Sequence, residues 1–315
     1  MKVAVVLNAG AGSVDVDRCQ EQARQIKQAF ADVSVAADVY ISPGSKLAET
    51  ARQVAGGADA VVAAGGDGTV SAVAGALAGG QVPLAVMPLG TFNHFAKDIG
   101  MPLDLAEAAR AIAARRSARL DVGEVNGRIF VNNSSIGLYP EIVIAREQER
   151  RQTGRRKLWA MVIAALRVLR RFPLLHVHVM TEQREVVSKT PFVFVGNNGY
   201  EISVLALGKR ARLDGGQLSL YMVRCRGRLH MFWLMVRALL QRLEAVRDFE
   251  FELVSEAHVK LHRRRLEVSF DGEVTTMTSP LHYRIRPGAL PVLIPPAKEA
   301  VEALPGSVAS EEPAA

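Results

Sequence analysis

The sequence predicts an α/β protein with a second, β-rich part: an N-terminal doubly wound α/β domain followed by a sandwich-like domain. Three observations carry that expectation. Over the first 120 residues, apolar runs of strand length alternate with stretches of helix length, the pattern of a parallel sheet covered on both faces. Three of those runs end in glycine-bearing turns: NAGAGS (8–13), GGDGT (65–69) and LGTFN (89–93). After Leu120 the texture changes to short alternating segments with hairpin signals between them, which is half-buried strand rather than helix.

The elements follow in order. VAVVLN (3–8) reads as a strand covered on both faces, and a helical stretch runs from Val16 to Phe30. VSVAADVY (33–40) is the second strand, and SPGS leads into the helix LAETARQVA. ADAVVAAG (58–65) is the third strand, followed by a small-residue helix from Val70 to about Ala78 that Gly79-Gly80 terminates. PLAVMPL (83–89) is the fourth strand, and Asp104 with Glu107 forms a capping box for a helix over 105–116. Beyond Leu120, Asn126-Gly127 signals a hairpin. HVHVM (176–180), PFVFVGN (191–197), QLSLYMV (217–223), HVKLH (258–262) and LEVSF (266–270) read as short strands. Helices are expected at about 155–171 and 229–243, and a disordered tail over 297–315.

Composition narrows the partners. The formal net charge is +7, which suits phosphate-bearing ligands, anionic membranes or nucleic acid. Much of the surplus sits between Arg146 and Arg171, but that segment lacks interleaved aromatics and any nucleic-acid motif, so no nucleic acid is expected. The longest uncharged apolar run, LWAMVIAAL (158–166), is far below the ~20 residues of a spanning helix. No secretory signal is evident, and Cys19 and Cys225 fit no metal or redox spacing. Together these suggest a cytoplasmic protein with reduced thiols.

The candidate chemistry gathers at the turns. Carboxyl ends of parallel strands are where open α/β sheets bind ligands, and three glycine turns at one edge could offer many free N–H donors to a polyphosphate. Neither a P-loop lysine nor a complete dinucleotide fingerprint is present. Asp67, in the middle of GGDGT, fits such a site if Mg²⁺ lies between acid and phosphate, or if the acid accepts bonds from the framing donors. Asp271 and Glu273 are two residues apart: in extended chain their side chains share a face, whereas Asp-Gly is also a common turn signal. His176 and His178 share a strand face with no third ligand nearby in sequence, which favours a solvated or core-edge face.

With these motifs the sequence resembles the diacylglycerol-kinase catalytic family, soluble bacterial lipid kinases related to sphingosine kinases and, more distantly, NAD kinases. GGDGT is the hallmark. LGTFNHFAKDIGMP (89–102), LDVGEVNGRIFVNNSSIGL (120–138), RLDGGQLSLYMV (212–223), VSFDGE (268–273) and RPGALPVLIP (286–295) match further motifs in order. The resemblance implies a catalytic domain over 1–120 joined by a returning segment 286–296, with the β-rich lipid-kinase domain at 121–285. It also implies ATP- and Mg²⁺-dependent phosphorylation of a lipid hydroxyl, most simply diacylglycerol to phosphatidic acid. Sphingoid-base or NAD phosphorylation, or non-catalytic nucleotide and lipid binding, are the alternatives.

Nucleotide contacts carried over are Asn8, Ala9, Gly10, Ala11, Gly12, Ser42, Gly65, Gly66, Asp67, Gly68, Thr69, Val70, Ser71, Ala72, Gly90 and Thr91. Glu273 is similar to the family's proton acceptor, with Asp271 and Asp67 beside it as candidate catalytic acids. Asp121 matches an acid that holds catalytic Mg²⁺ through water. Asp214, with the carbonyls of Ala211 and Gly216, matches a structural Mg²⁺ site. Three departures stand out: Ser71-Ala72 follow GGDGT where a polar-acidic pair is usual, His94 replaces an Asp, and Ala9 replaces a proline. The resemblance implies a peripheral enzyme meeting its lipid at the inner membrane face, and a homodimer is compatible with it. The segment RRKLWAMVIAALRVLRRF reads equally as an interfacial helix or a core helix with solvated ends.

Overall fold

The computed structural model describes residues 1–10, 16–137, 174–203, 206–210, 212–223, 225, 227, 230 and 249–296. The expected helix at 155–171, that at 229–243 apart from His230, the tail, and Ala11, Gly12 and Ala211 lie outside the described residues.

The N-terminal part alternates as the sequence predicts: β1 (Lys2–Asn8), α1 (Val16–Ala31), β2 (Ala36–Ser42), α2 (Leu47–Ala55), β3 (Ala60–Gly65), α3 (Asp67–Leu77), β4 (Leu84–Pro88), α4 (His94–Asp98) and α5 (Leu105–Ala113). β2, β1, β3 and β4 lie side by side and pair in parallel. Ala60 to Ala64 are all fully buried, because helices cover both faces. Ile26 and Phe30 of α1 and Ile112 of α5 are likewise fully buried. Each large side chain so buried contributes about 1.5–3 kcal/mol. Asp104 caps α5 by accepting from the Glu107 amide at 2.9 Å.

Several boundaries differ from the sequence expectation. β2 starts at Ala36 because Asp32 to Ser34 form a turn after α1, with Ser34 at φ 58°. α5 stops at Ala113, and Arg115 takes a positive φ of 56°. α3 begins at Asp67, not Val70, so the glycine motif supplies the helix's own first turn.

The remaining strands are β5 (Ser117–Val125), β6 (Arg128–Phe130), β7 (Asn133–Gly137), β8 (Leu175–Thr181), β9 (Glu185–Thr190), β10 (Phe192–Asn197), β11 (Tyr200–Ser203), β12 (Ala206–Arg210), β13 (Leu218–Val223), β14 (Phe249–Val254), β15 (Glu256–Leu261), β16 (Arg265–Phe270), β17 (Glu273–Thr278) and β18 (Leu281–Leu293). β14, β13, β10, β7, β16 and β17 form a six-stranded sheet in that order. Its inner residues, among them Ile136, Val193, Leu220 and Val268, share one core with Val177 and Val179 of β8 and Ala257 and Val259 of β15. That is a β-sandwich.

The second face of the sandwich is not a separate sheet. β18 pairs antiparallel with β15 over residues 281–284, antiparallel with β5, and in parallel with β4 at Val292↔Leu84. A single ten-stranded sheet therefore runs from β2 to β9. Where β18 passes from one half to the other its register shifts between Arg286 and Leu290, with Gly288 at φ 57°.

Candidate active site

The turns after β1, β3 and β4 meet at one edge. Asn8 ends β1; its Nδ2 donates to Thr69 Oγ1 at 3.0 Å and its Oδ1 accepts from the Gly10 amide at 3.1 Å. The Ala9 amide donates to the Ser42 carbonyl at 3.0 Å, which ties the first turn to the end of β2. After β4, Asn93 adopts the left-handed conformation at φ 51° and closes a local ring: Oδ1 accepts from the Gly90 amide, and Nδ2 donates to the Gly90 carbonyl. The second and third turns press together so closely that a methyl group on Gly90 would lie 2.5 Å from Gly66 Cα. Asp67 spans them, its Oδ1 accepting weakly from the Phe95 amide at 3.4 Å.

α3 thus opens at the centre of this edge. Its first intrahelical bond runs from the Val70 amide to the Gly66 carbonyl, so the Asp67, Gly68 and Thr69 amides belong to the turn whose donors have no carbonyl within the helix. Such an end attracts anions. The arrangement can cradle phosphate.

The Asp-Gly-Glu segment comes to the same place from the sandwich. Asp271 and Gly272 have φ of 48° and 88°, and Phe270 pairs with Glu273 across the hairpin of β16 and β17. This is a two-residue turn, where positive φ at both positions is the rule. The extended reading, with both acids on one face, is therefore corrected. Their environments are opposite.

Asp271 is buried, and its carboxylate accepts four bonds: from Ser71 Oγ at 2.6 Å, and from the amides of Val131 (2.8 Å), Asn132 (2.7 Å) and Asn133 (3.1 Å). Burial pushes its pKa up, and those four donors oppose the shift. With all its acceptor capacity engaged by the protein, Asp271 serves as an anchor for the turn rather than as a base. Ser71, which departs from the usual family residue, is the α3 end of that anchor.

Glu273 is exposed, and its Oε1 lies where a methyl on Gly68 would come within 2.8 Å. A side chain at Gly68 would displace the carboxylate from the first turn of α3. Local burial first, then the Asp271 charge, raise the Glu273 pKa, and Arg128 partly offsets them. A carboxylate shifted this way is a stronger proton acceptor than an ordinary glutamate.

The metal-site expectations fare differently. Asp121 is buried, with Oδ2 accepting from the Gly216 amide at 2.7 Å and Oδ1 from the Gly288 amide at 2.8 Å. It stitches the 213–217 loop to the β18 irregularity. Asp214 is exposed and paired with Arg212 at 3.0 Å, whose hydrogen bond holds its carboxyl below the usual range. Gly216 lies in the same loop, and Ala211, whose carbonyl belongs to the expected set, is outside the described residues. At the phosphate end, Asp67 and Glu273 offer the hard oxygen donors that Mg²⁺ shares with substrate phosphates.

Sequence reasoning missed the polar layer behind the site. Arg210 is buried and paired with Asp98 of α4 at 2.6 Å, and it also donates to the Val131 carbonyl and to Asn132 Oδ1. Asn197 donates to the carbonyls of Asp121 and Val131. Tyr200 donates to the Asn132 carbonyl, and burial raises its pKa to about 12. The doublets Asn132-Asn133 and Asn197-Asn198, at the start of β7 and the end of β10, were the available signal. His178, flagged with His176, pairs with Glu185 instead.

Comparison with known proteins agrees with this geometry. Residues 2–125 match the model of the diacylglycerol kinase catalytic domain, and residues 142–294 that of the YegS C-terminal NAD kinase beta sandwich-like domain. A "Probable lipid kinase YegS-like" from Pseudomonas aeruginosa is 46% identical over 86 residues, 27% of this chain and 28% of the relative. A "Diacylglycerol kinase" from Bacillus subtilis is 38% identical over 87 residues, 27% of this chain and 29% of the relative. The matched stretch thus spans under a third of each curated relative's length. In fold, the chain is similar to a crystal structure of a diacylglycerol kinase from Bacillus anthracis, with a TM-score of 0.66 at 20% identity, covering 94% of this chain and 97% of that one.

Proposed function

The chain belongs to the diacylglycerol kinase catalytic-domain family, and from that premise we propose that it is a lipid kinase transferring the γ-phosphoryl group of ATP to a lipid hydroxyl. The observation that carries the reading is Glu273, whose carboxylate rests against Gly68 at the N-terminus of α3. The amides of that turn and of the neighbouring glycine turns hold the phosphates. The lipid oxygen attacks the γ-phosphorus, the bond to the β-phosphate oxygen breaks and ADP leaves. Glu273 accepts the hydroxyl proton. Mg²⁺ carried with the nucleotide would neutralise charge on the phosphates, with Asp67 and Glu273 as its protein neighbours. Positioning and electrostatics supply most of the rate in this chemistry, and a placed base adds roughly 10²–10⁴-fold.

Diacylglycerol is the acceptor we favour, presented at a membrane surface. Among the described residues no helix is long and apolar enough to cross a membrane. The test is to incubate the protein with labelled ATP, Mg²⁺ and separate acceptors: diacylglycerol, a sphingoid base and NAD. Products are then identified by mass spectrometry. Label in phosphatidic acid supports the reading; label only in NADP or a sphingoid phosphate replaces the substrate; ATP binding without transfer to any acceptor refutes catalysis.

A further inference from the structure

We propose that the outer face of β15 and β18 carries a second ligand site, a transition-metal site formed by His258, His282 and Glu256 that takes a borderline dication such as Zn²⁺. His258 and His282 stand directly opposite one another in the antiparallel pairing of β15 and β18. Glu256 is two residues before His258 on β15, so it projects from the same face. The two imidazoles are stacked, with centroids 4.4 Å apart and planes within 3°. Both Nε2 atoms reach one oxygen, Glu256 Oε1, at 3.0 and 2.6 Å.

The three ligand atoms lie within 4.8 Å of one another, and no other such group of three occurs among the described residues. Tetrahedral zinc with bonds of about 2.0–2.1 Å sets its ligand atoms roughly 3.3–3.5 Å apart. To admit the ion the carboxylate has to retreat by less than about 1 Å, and the two parallel rings have to turn so that both Nε2 lone pairs converge on it. The side chains have the freedom to do so: they are 46%, 42% and 39% exposed for Glu256, His258 and His282. That exposure also lets water fill a fourth position.

The donor chemistry chooses the class of ion. Two imidazole nitrogens and one carboxylate oxygen suit Zn²⁺, Ni²⁺ or Cu²⁺, whereas Mg²⁺ prefers an all-oxygen set. The backbone is fixed beneath the histidines. Asn126 accepts from the His282 amide at 2.8 Å and donates to the carbonyls of Thr278 and Pro280 at 3.2 Å each. Of the cations on this face, Arg284 opposite Glu256 is committed to Glu124 at 2.6 Å, and Lys260 is exposed two residues after His258 on β15. The Nε2 atoms of both histidines already share Glu256 Oε1 through hydrogen bonds. Protons thus bridge the groups that an ion would bridge, and metal must compete with them.

The site draws its ligands from β15 and β18 alone, and none of them comes from the glycine turns or the Asp-Gly-Glu segment. Its bound ion would cross-link two neighbouring strands of the sandwich.

Equilibrium dialysis of tag-free, chelator-stripped full-length protein against zinc chloride tests this, with His258→Gln, His282→Gln and the double variant alongside. Circular dichroism checks each fold. The wild type is expected to retain one zinc more than the double variant at neutral pH, and each single variant to bind at least ~10-fold more weakly. Acidification should release the zinc, and excess Mg²⁺ should not. Equal zinc retention by wild type and a folded double variant, or no zinc retained by the wild type at sub-millimolar concentrations, overturns the proposal.

Discussion

Asp271→Asn and Glu273→Gln, made side by side, separate an anchor from a base. Asp271 takes four hydrogen bonds. An asparagine can keep Oδ1 towards the amides of Asn132 and Asn133, but its Nδ2 then faces the Val131 amide and the Ser71 hydroxyl. The hydroxyl can rotate and accept; the Val131 amide cannot. One buried donor left without a partner costs about 1–3 kcal/mol, and turning the remaining charge-assisted bonds into neutral ones adds about 1 kcal/mol. The expected destabilisation is ~2–4 kcal/mol, which for a chain of this size lowers the thermal midpoint by roughly 3–6 °C. Glu273 is exposed, so its glutamine variant should melt within about 1 °C of wild type. Its turnover should fall at least ~100-fold while KM for ATP stays within a few-fold. Differential scanning fluorimetry and a lipid-phosphorylation assay read both quantities. An unshifted midpoint for Asp271→Asn refutes the anchor. Normal turnover in Glu273→Gln refutes the base.

Arg128 lowers the Glu273 pKa, so Arg128→Met should disfavour the ionised base and move the acid limb of kcat/KM against pH upward; a limb that stays or falls contradicts the pairing. Arg210→Met leaves Asp98 and the Asn132 side chain without the buried guanidinium and should cost about 3–5 kcal/mol in chemical denaturation; a loss under ~1 kcal/mol would show the layer to be dispensable. Gly90→Ala forces a methyl against Gly66 Cα, where only backbone can move. Calorimetry should find ATP affinity reduced tenfold or more, about 1.4 kcal/mol, and unchanged affinity would remove this pair of turns from the nucleotide site.

The parallel half was legible because its strands are buried on both faces, and a run such as AVVAAG has no polar residue to hide the signal. β7 was not. NSSIG looks like loop, yet Ser134 and Ser135 are buried between β10 and β16; pairing on both sides, not propensity, makes it a strand. The start of α3 was misread for the opposite reason: three glycines suggest a turn that excludes helix, whereas Gly66 is the N-cap and Gly68 is already helical. GGDGT and the Asp-Gly-Glu segment were visible as motifs. What one-dimensional reasoning could not supply was the division of labour within the latter. Two acids at a spacing of two look equivalent until the turn sends one inward to the amides of 131–133 and leaves the other facing α3.

The continuous sheet also has a history in time. β4 ends at Pro88 and gains its outer neighbour only from residues near Val292, some two hundred residues later in synthesis. At roughly 5–20 residues per second, the flank of the nascent nucleotide lobe stays open for about 10–40 s. An unpaired, apolar strand edge is a template for association with other chains. Ribosome-bound intermediates of this protein are therefore expected clients of chaperones that shield exposed edges, and an excised fragment 1–125 should aggregate on expression even though its own helices and first four strands are intact.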